Sequence, residues 1–239
     1  MSNAAEAERS KTQARTRLKV TLLLPTLNER VGMEHVMPRV KPDLIDQFLV
    51  IDGGSTDGTI EYAESQGYTV VHQKSKGITG AYYEALEHVT GDVIVAFSPD
   101  GNSVPERIPD LIGKMEEGYD MVIVSRYLGE AKSDDDDLLT SFGNWFFTAA
   151  INCLFGGHYT DSLVMFRAWK KELIQQLPTN VPRAGLEPLI SIKCAKMKWN
   201  VAEIPGDEPK RIGSPRKMKP FRNGWDILKL IFQEKFFSH

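Results

Sequence analysis

The sequence is poor in cysteine, with two among its 239 residues, Cys153 and Cys194. Neither has a Cys or His partner at zinc-site spacing, so neither a disulfide framework nor a structural zinc organises the chain. Both sit among apolar residues at helical spacing, which predicts two buried thiols in a reducing cytoplasm. The chain also lacks a continuous apolar run of the roughly 18 residues that a spanning helix needs. The longest apolar stretch, 142–155, is broken by Asn144, Thr148 and Asn152. The expectation is therefore a chain that does not cross a membrane, although it can lie on one. Residues 1–19 show no apolar secretory signal, and 1–16 read as a tag-like tail. No internal repeat is visible. Basic charge is not in excess: 29 Lys and Arg stand against 32 Asp and Glu, a net charge of −3. That balance argues against nucleic acid as a partner.

What charge there is lies unevenly. Residues 1–20 carry +3, residues 207–239 carry +4, and the stretch between carries −10. An acidic body with a basic tail suits an anionic ligand or a membrane surface near that tail. Apolar residues make up 41% and charged residues 26% of the chain, as in an ordinary globular domain.

The first half alternates short apolar runs with helical patterns. Strands are expected at 19–24, 48–51, 69–72, 93–97 and 121–124. Between them, 78–89 repeats its apolar residues at helical spacing, and Pro105 opens a helix to Met115. This alternation predicts an α/β fold with a mixed, mostly parallel sheet and helices on both faces. Ligands in such sheets bind beyond the carboxyl ends of the strands. In the second half, helices are expected at 138–155, 169–177 and 186–197. The segment 205–221 reads as a mobile loop, rich in Pro, Gly and basic residues. An amphipathic helix over 224–237 carries Trp225, Leu228, Ile231, Phe232 and Phe236 as its apolar set. The domain is expected to occupy 17–222, with 223–239 as a C-terminal helix able to serve as a homo-oligomer interface.

The chemistry-bearing residues cluster at the strand ends. Pro25-Thr26-Leu27-Asn28-Glu29 follows the first strand, and Asp52-Gly53-Gly54-Ser55-Thr56-Asp57-Gly58-Thr59 follows the second. Glycines there let backbone N–H groups approach a ligand. Asp52 is placed to accept from a base N–H or a ribose hydroxyl, while Asp57 reads as a helix cap. These two turns resemble those of the family-2 glycosyltransferases with the GT-A fold, a Rossmann-like architecture. The resemblance continues in order through Lys76-Gly77-Ile78-Thr79-Gly80-Ala81-Tyr82, Thr90 to Phe97, Ser125-Arg126-Tyr127, and Asp161 to Ala168. Within the family the chain is most similar to polyprenyl- or dolichyl-phosphate mannose and glucose synthases.

The resemblance implies a transferase that uses a nucleotide-diphosphate sugar, inverts the anomeric carbon by direct displacement, and holds one Mg²⁺ or Mn²⁺. Donor contacts are implied at Pro25, Leu27, Glu29, Asp52, Gly54, Ser55, Lys76, Gly77 and Asp100, and on a basic loop at Lys210, Arg211 and Lys217. Asp161 and Glu187 are candidate bases, and Arg126 and Arg167 candidate holders of substrate oxygens. Two departures stand out. The family's Asp-x-Asp metal motif falls on Ser98-Pro99-Asp100, leaving Asp100 with Asn102 as the expected ligands. Where lipid-phosphate synthases carry an arginine before Ser141 and Asn144, this chain has Asp134-Asp135-Asp136-Asp137, which reads as a solvated acidic loop. The acceptor therefore stays open between a lipid-linked phosphate and a small polar or hydroxyl compound. The basic loop is open between a donor-diphosphate clamp and a lipid-headgroup contact. Nucleotidyl transfer and non-catalytic nucleotide-sugar binding are the competing functions. The expected location is cytoplasmic, peripheral on the inner face of the membrane.

Overall fold

A computed structural model describes residues 17–75, 77–178, 181, 185–213 and 219–237. The 1–16 tail, Lys76 and Lys217 lie outside the described residues.

Among the described residues, seven strands form one sheet in the order β3-β2-β1-β4-β6-β5-β7. The strands are β1 (Val20–Thr26), β2 (Gln47–Asp52), β3 (Thr69–His72), β4 (Val93–Ala96), β5 (Met121–Ser125), β6 (Arg167–Lys170) and β7 (Val201–Pro205). All neighbours run parallel except β6, which pairs antiparallel with β4 and β5. The strand order reverses beside β1, where β2 and β4 flank it. A crevice opens at such a switch point, at the carboxyl ends of the strands.

Alternation along the strands divides the core into two layers. Leu22, Leu24, Val93 and Val95 face one side with Met33 and Leu111. Leu23, Ile94 and Ala96 face the other with Tyr82, Trp169 and Ile190. Successive strand side chains point to opposite faces, so a sheet covered on both sides reads as continuous apolar runs. The helices supply the covers: α1 (Arg30–Val36), α2 (Thr59–Ser65), α3 (Ile78–Leu86), α4 (Ile108–Glu116), α5 (Leu138–Phe155), α6 (Lys171–Gln175), α7 (Leu186–Met197) and α8 (Pro220–Phe236).

Several expectations need correction. The stretch 169–177 is not one helix: Trp169 pairs with Ile94 and Met121 as part of β6, and α6 starts only at Lys171. Sheet pairing on both sides overrides the local helical pattern. Cys194 is buried, but Cys153 is exposed on the outer side of α5. Helix α5 is also long and apolar enough to cross a membrane by length and composition. Its polar interruptions are arranged on the domain-facing side: Asn144 and Thr148 are buried with Phe147 and Ile151, and Asn152 bonds to the backbone of Tyr159.

Helix α8 is apolar on two sides. Its buried stripe is Ile227, Leu230, Ile231 and Glu234, whereas Trp225, Leu228, Phe232 and Phe236 of the expected apolar set face outward. Glu234 reaches Lys193 at 2.8 Å and Lys196 at 3.3 Å, which ties α8 to α7.

Candidate active site

The two turns expected to hold a nucleotide lock into each other. Asn28, at φ 56°, donates its N–H to Ser55 Oγ at 2.8 Å and accepts from the Thr56 N–H at 2.8 Å. Asp57 accepts from the N–H groups of Arg30 and Thr59, serving the starts of α1 and α2 together. Asp52 is buried. One of its oxygens accepts from the N–H groups of Gly54 and Ser55, and the other from the hydroxyls of Thr26 and Ser55. Its carboxylate thus organises the turn, and the residues lining the cleft here include Pro25, Thr26, Leu27, Glu29, Ile51 and Gly53. Across the cleft, Gln73, Ser75 and Gly77 continue the same wall.

Asp100 follows β4 at the strand-order switch. Gly32 of α1 packs against this turn so closely that a Cβ there would lie 2.4 Å from the Pro99 carbonyl oxygen. Asp100 Oδ1 accepts from the Asn102 N–H at 3.2 Å, and Oδ2 faces Arg211 Nη1 at 3.2 Å. Carboxylate and amide oxygens are the hard ligands that Mg²⁺ and Mn²⁺ take. Among the described residues no group of three or more His, Cys, Asp or Glu side chains forms a metal site by itself. The donor set at Asp100 and Asn102 suits a cation whose remaining ligands are water and substrate phosphates.

Deeper in the cleft, Arg126 lies in a nest of acids. Its Nε and Nη2 bind Asp161 at 2.7 and 3.1 Å, and its Nη1 meets Asp136 at 3.1 Å and Glu208 at 3.2 Å. Burial opposes the charge on Arg126, yet Asp161, Glu208 and Asp136 outweigh it and hold the guanidinium protonated, its pKa above the ordinary value. Burial pushes the Glu208 carboxyl up, against the pull of Arg126 and of a hydrogen bond from Ser133. The 134–137 run is thus a solvated loop only in part: Asp134 and Asp137 are exposed, whereas Asp135 and Asp136 turn inward onto arginines. Asp136 holds Arg126, Asp135 holds Arg211, and Asp137 caps α5 in a reciprocal capping box with Thr140. Arg126, just after β5, and Arg211, on the loop after β7, take up the charge of Asp136 and Asp135.

Arg167 is fully buried at the start of β6. It donates to the carbonyls of Ser162, Val164 and Glu187 and to Ser191 Oγ, which pins α7 and its first-turn Glu187 against the sheet. Glu187 lines the floor of the cleft. Burial raises its carboxyl above the ordinary glutamate value, with Arg167 opposing. Asp161 is fully buried and committed to Arg126 and to the N–H groups of Leu163 and Val164, so of the two candidate bases Glu187 is the one that faces the cleft. Lys210 is exposed on the loop after β7.

The cleft has a volume of about 1130 Å³. It runs from the turns after β1 and β2 past Asp100 and Arg126 to an apolar mouth between α5 and α8, where Leu139, Phe142, Phe147, Phe221, Trp225 and Leu228 line it. Asn144, buried on α5, points into this end, and its Oδ1 has no hydrogen-bond partner among the described residues. Sequence reasoning missed Glu208 and Asp136 as partners of Arg126. A signal existed: Glu208 is an acid beside the basic loop.

The comparisons with known proteins agree with this geometry. Residues 21–177 match the family profile "Glycosyl transferase family 2". Glycosyltransferase AglJ of Haloferax volcanii is 30% identical over 216 residues, covering 90% of this chain and 71% of that protein. The undecaprenyl-phosphate 4-deoxy-4-formamido-L-arabinose transferase of Klebsiella pneumoniae is 27% identical, covering 78% of this chain and 58% of that one. Among solved structures, glucosyl-3-phosphoglycerate synthase from Mycobacterium tuberculosis, in complex with Mn²⁺, UDP-glucose and phosphoglyceric acid, superposes with a TM-score of 0.68 at 25% identity, covering 88% of this chain and 76% of that one. With its GT-A sheet and its ordered strand-end turns, the chain belongs to glycosyl transferase family 2 and is a glycosyltransferase.

Proposed function

We propose that the chain transfers a sugar from a nucleotide-diphosphate sugar to a lipid-linked phosphate acceptor, with inversion, at a membrane surface. One observation carries this reading: a single cleft joins the nucleotide turns to an apolar mouth between α5 and α8. The locked turns at Asn28 and Asp52 present backbone to the nucleoside, and Asp100 with Asn102 would hold a divalent cation. When bound, such an ion neutralises negative charge on the departing diphosphate. Lys210 and Arg211 bring further positive charge to the same end of the cleft, where developing charge on a leaving group is stabilised. The apolar mouth takes the lipid, and the Asn144 amide meets its head group. A phosphate acceptor is already an anion and needs no protein base.

The same two helices form the surface that would meet the membrane. Helix α5 has no charged residue from 138 to 155, yet Leu138 is 92% exposed and Trp145 63%. On α8, Phe221 is 83% exposed and Trp225 60%, with Phe232, Phe236 and Phe237 also outward. Lys219, Arg222 and Lys229 are exposed beside them. Aromatic residues flanked by cations suit the interface of an anionic bilayer. The relative from Klebsiella pneumoniae, named as an undecaprenyl-phosphate transferase, supports the same acceptor class.

A second reading, transfer to a small hydroxyl acceptor, is favoured by Arg126. Three carboxylates already surround this guanidinium, and Glu187 lines the cleft as a base for a hydroxyl. Offering a panel of labelled nucleotide sugars with undecaprenyl phosphate in vesicles, or with phosphoglycerate in buffer, separates the two. Label in the lipid phase supports the first reading, and label only in the water-soluble product replaces it with the second.

A further inference from the structure

Arg211 stands where the donor and acceptor ends of the cleft meet. Its Nη1 lies 3.2 Å from Asp100 Oδ2, while its Nε and Nη2 reach Asp135 at 3.2 and 2.8 Å. The next residue is docked on the same turn: the Ile212 N–H donates to the Asp100 carbonyl at 2.5 Å. Its side chain covers Gly101, whose φ of +88° and lack of a Cβ leave room for it. The Asp100 carboxylate thus has both oxygens engaged, one by the Asn102 N–H and one by a guanidinium. A divalent cation on that carboxylate would sit beside a fixed positive charge, and like charges at such range repel strongly. Arginine's planar fork lets it hold two carboxylates at once, so it can release one while keeping the other.

We propose that Arg211 is a displaceable counter-ion of Asp100: it neutralises this carboxylate in the donor-free chain, yields it to a divalent cation, and is retained by Asp135. The inference rests on the metal reading of Asp100 given above. It gives the acidic run a task in the reaction, because Asp135 becomes the positioning residue that keeps Arg211 at the cleft after the exchange. It also makes cation and diphosphate bind cooperatively, since an incoming diphosphate offers the freed guanidinium new oxygens to pair with.

The test measures binding of Mn²⁺ alone, from the electron paramagnetic resonance signal of the free ion, with no nucleotide present. Arg211→Ala and Arg211→Gln should each tighten Mn²⁺ binding by about tenfold, within the usual range for coupled sites. Lys132→Ala, which removes an exposed cation that makes no contact with Asp100, should change it by less than about twofold. Asp135→Asn should weaken Mn²⁺ binding when Arg211 is present and have no effect in the Arg211→Ala background, the signature of a coupled pair. Equal or weaker Mn²⁺ binding by both Arg211 variants overturns the exchange and leaves the metal reading intact. No Mn²⁺ binding by any chain, or undiminished binding by Asp100→Asn, overturns the metal reading and the exchange with it.

Discussion

The two ends of the cleft are built by different means. At the end proposed for the donor, short turns are held by their own backbone and by side chains such as Asn28, Asp52 and Asp57 that bond inward. At the end proposed for the acceptor, the polar floor is an ion network around Arg126, and the walls are aromatic side chains of α5 and α8 left open to solvent. A rigid backbone frame suits a ligand of fixed shape such as a nucleotide. An open apolar mouth suits a long flexible chain that meets the protein at a surface. Changes at the two ends should therefore fail differently, one in turnover with the fold intact, the other in stability or in surface binding.

The largest effect is expected at the ion network. Arg126→Met leaves Asp161, Asp136 and Glu208 buried without their cation, and breaking such a cluster costs about 3–5 kcal/mol. Chemical denaturation checks this, and an unchanged unfolding midpoint would mean that solvent already screens the network. At the donor end, Asp100→Ala is expected to lower turnover by about a hundredfold or more, the scale of losing one charge-stabilising group, while the melting temperature stays close to that of the parent. The apolar mouth gives the third contrast. Trp145→Ala with Trp225→Ala should weaken binding to anionic vesicles by at least about tenfold, since a fully buried aromatic contributes about 1.5–3 kcal/mol. Nucleotide affinity should be untouched, which calorimetry without lipid can verify.

Glu187 sharpens the comparison through pH. Its folded pKa is raised, so its contribution to stability is fully present below the ordinary glutamate range and is lost as pH rises through the raised value. Glu187→Gln should therefore melt higher than the parent at neutral pH, and the difference should close on acidification. In activity, a hydroxyl acceptor would lose rate in this variant, and a phosphate acceptor would not. The smallest effect is expected where α8 meets α7. Glu234→Gln weakens its ties to Lys193 and Lys196, at a cost of about 1 kcal/mol. Its carboxyl is lowered overall, the lysines outweighing burial. This contribution is thus present above the ordinary glutamate range and fades as pH falls through the lowered value.

The framework of the proposed donor end was readable in the sequence because its signals are local. Strand, glycine-bearing turn and helix follow one another within a few residues, so the ends of β1, β2 and β4 fell close to where the apolar runs placed them. The acceptor end depends on pairings between distant segments. Asp136 meets Arg126 and Glu208 only after β5, α5 and β7 are assembled, and nothing in four consecutive aspartates announces that two will face arginines. Strand β6 was hidden for the same reason, since Trp169 takes its conformation from β4 and β5. Helix α8 showed its amphipathic period, but period alone does not say which of two apolar sides turns inward.

The most direct test is a transfer assay with a labelled nucleotide sugar, Mn²⁺ or Mg²⁺, and undecaprenyl phosphate in anionic vesicles, run on the parent chain and on the Trp145→Ala, Trp225→Ala pair. The expected result is label in the lipid phase with the parent chain, sharply reduced by loss of the two tryptophans although nucleotide binding is unchanged. Donor binding with no label in lipid, or equal transfer by parent and variant, would contradict a cleft that opens from a nucleotide frame onto a membrane.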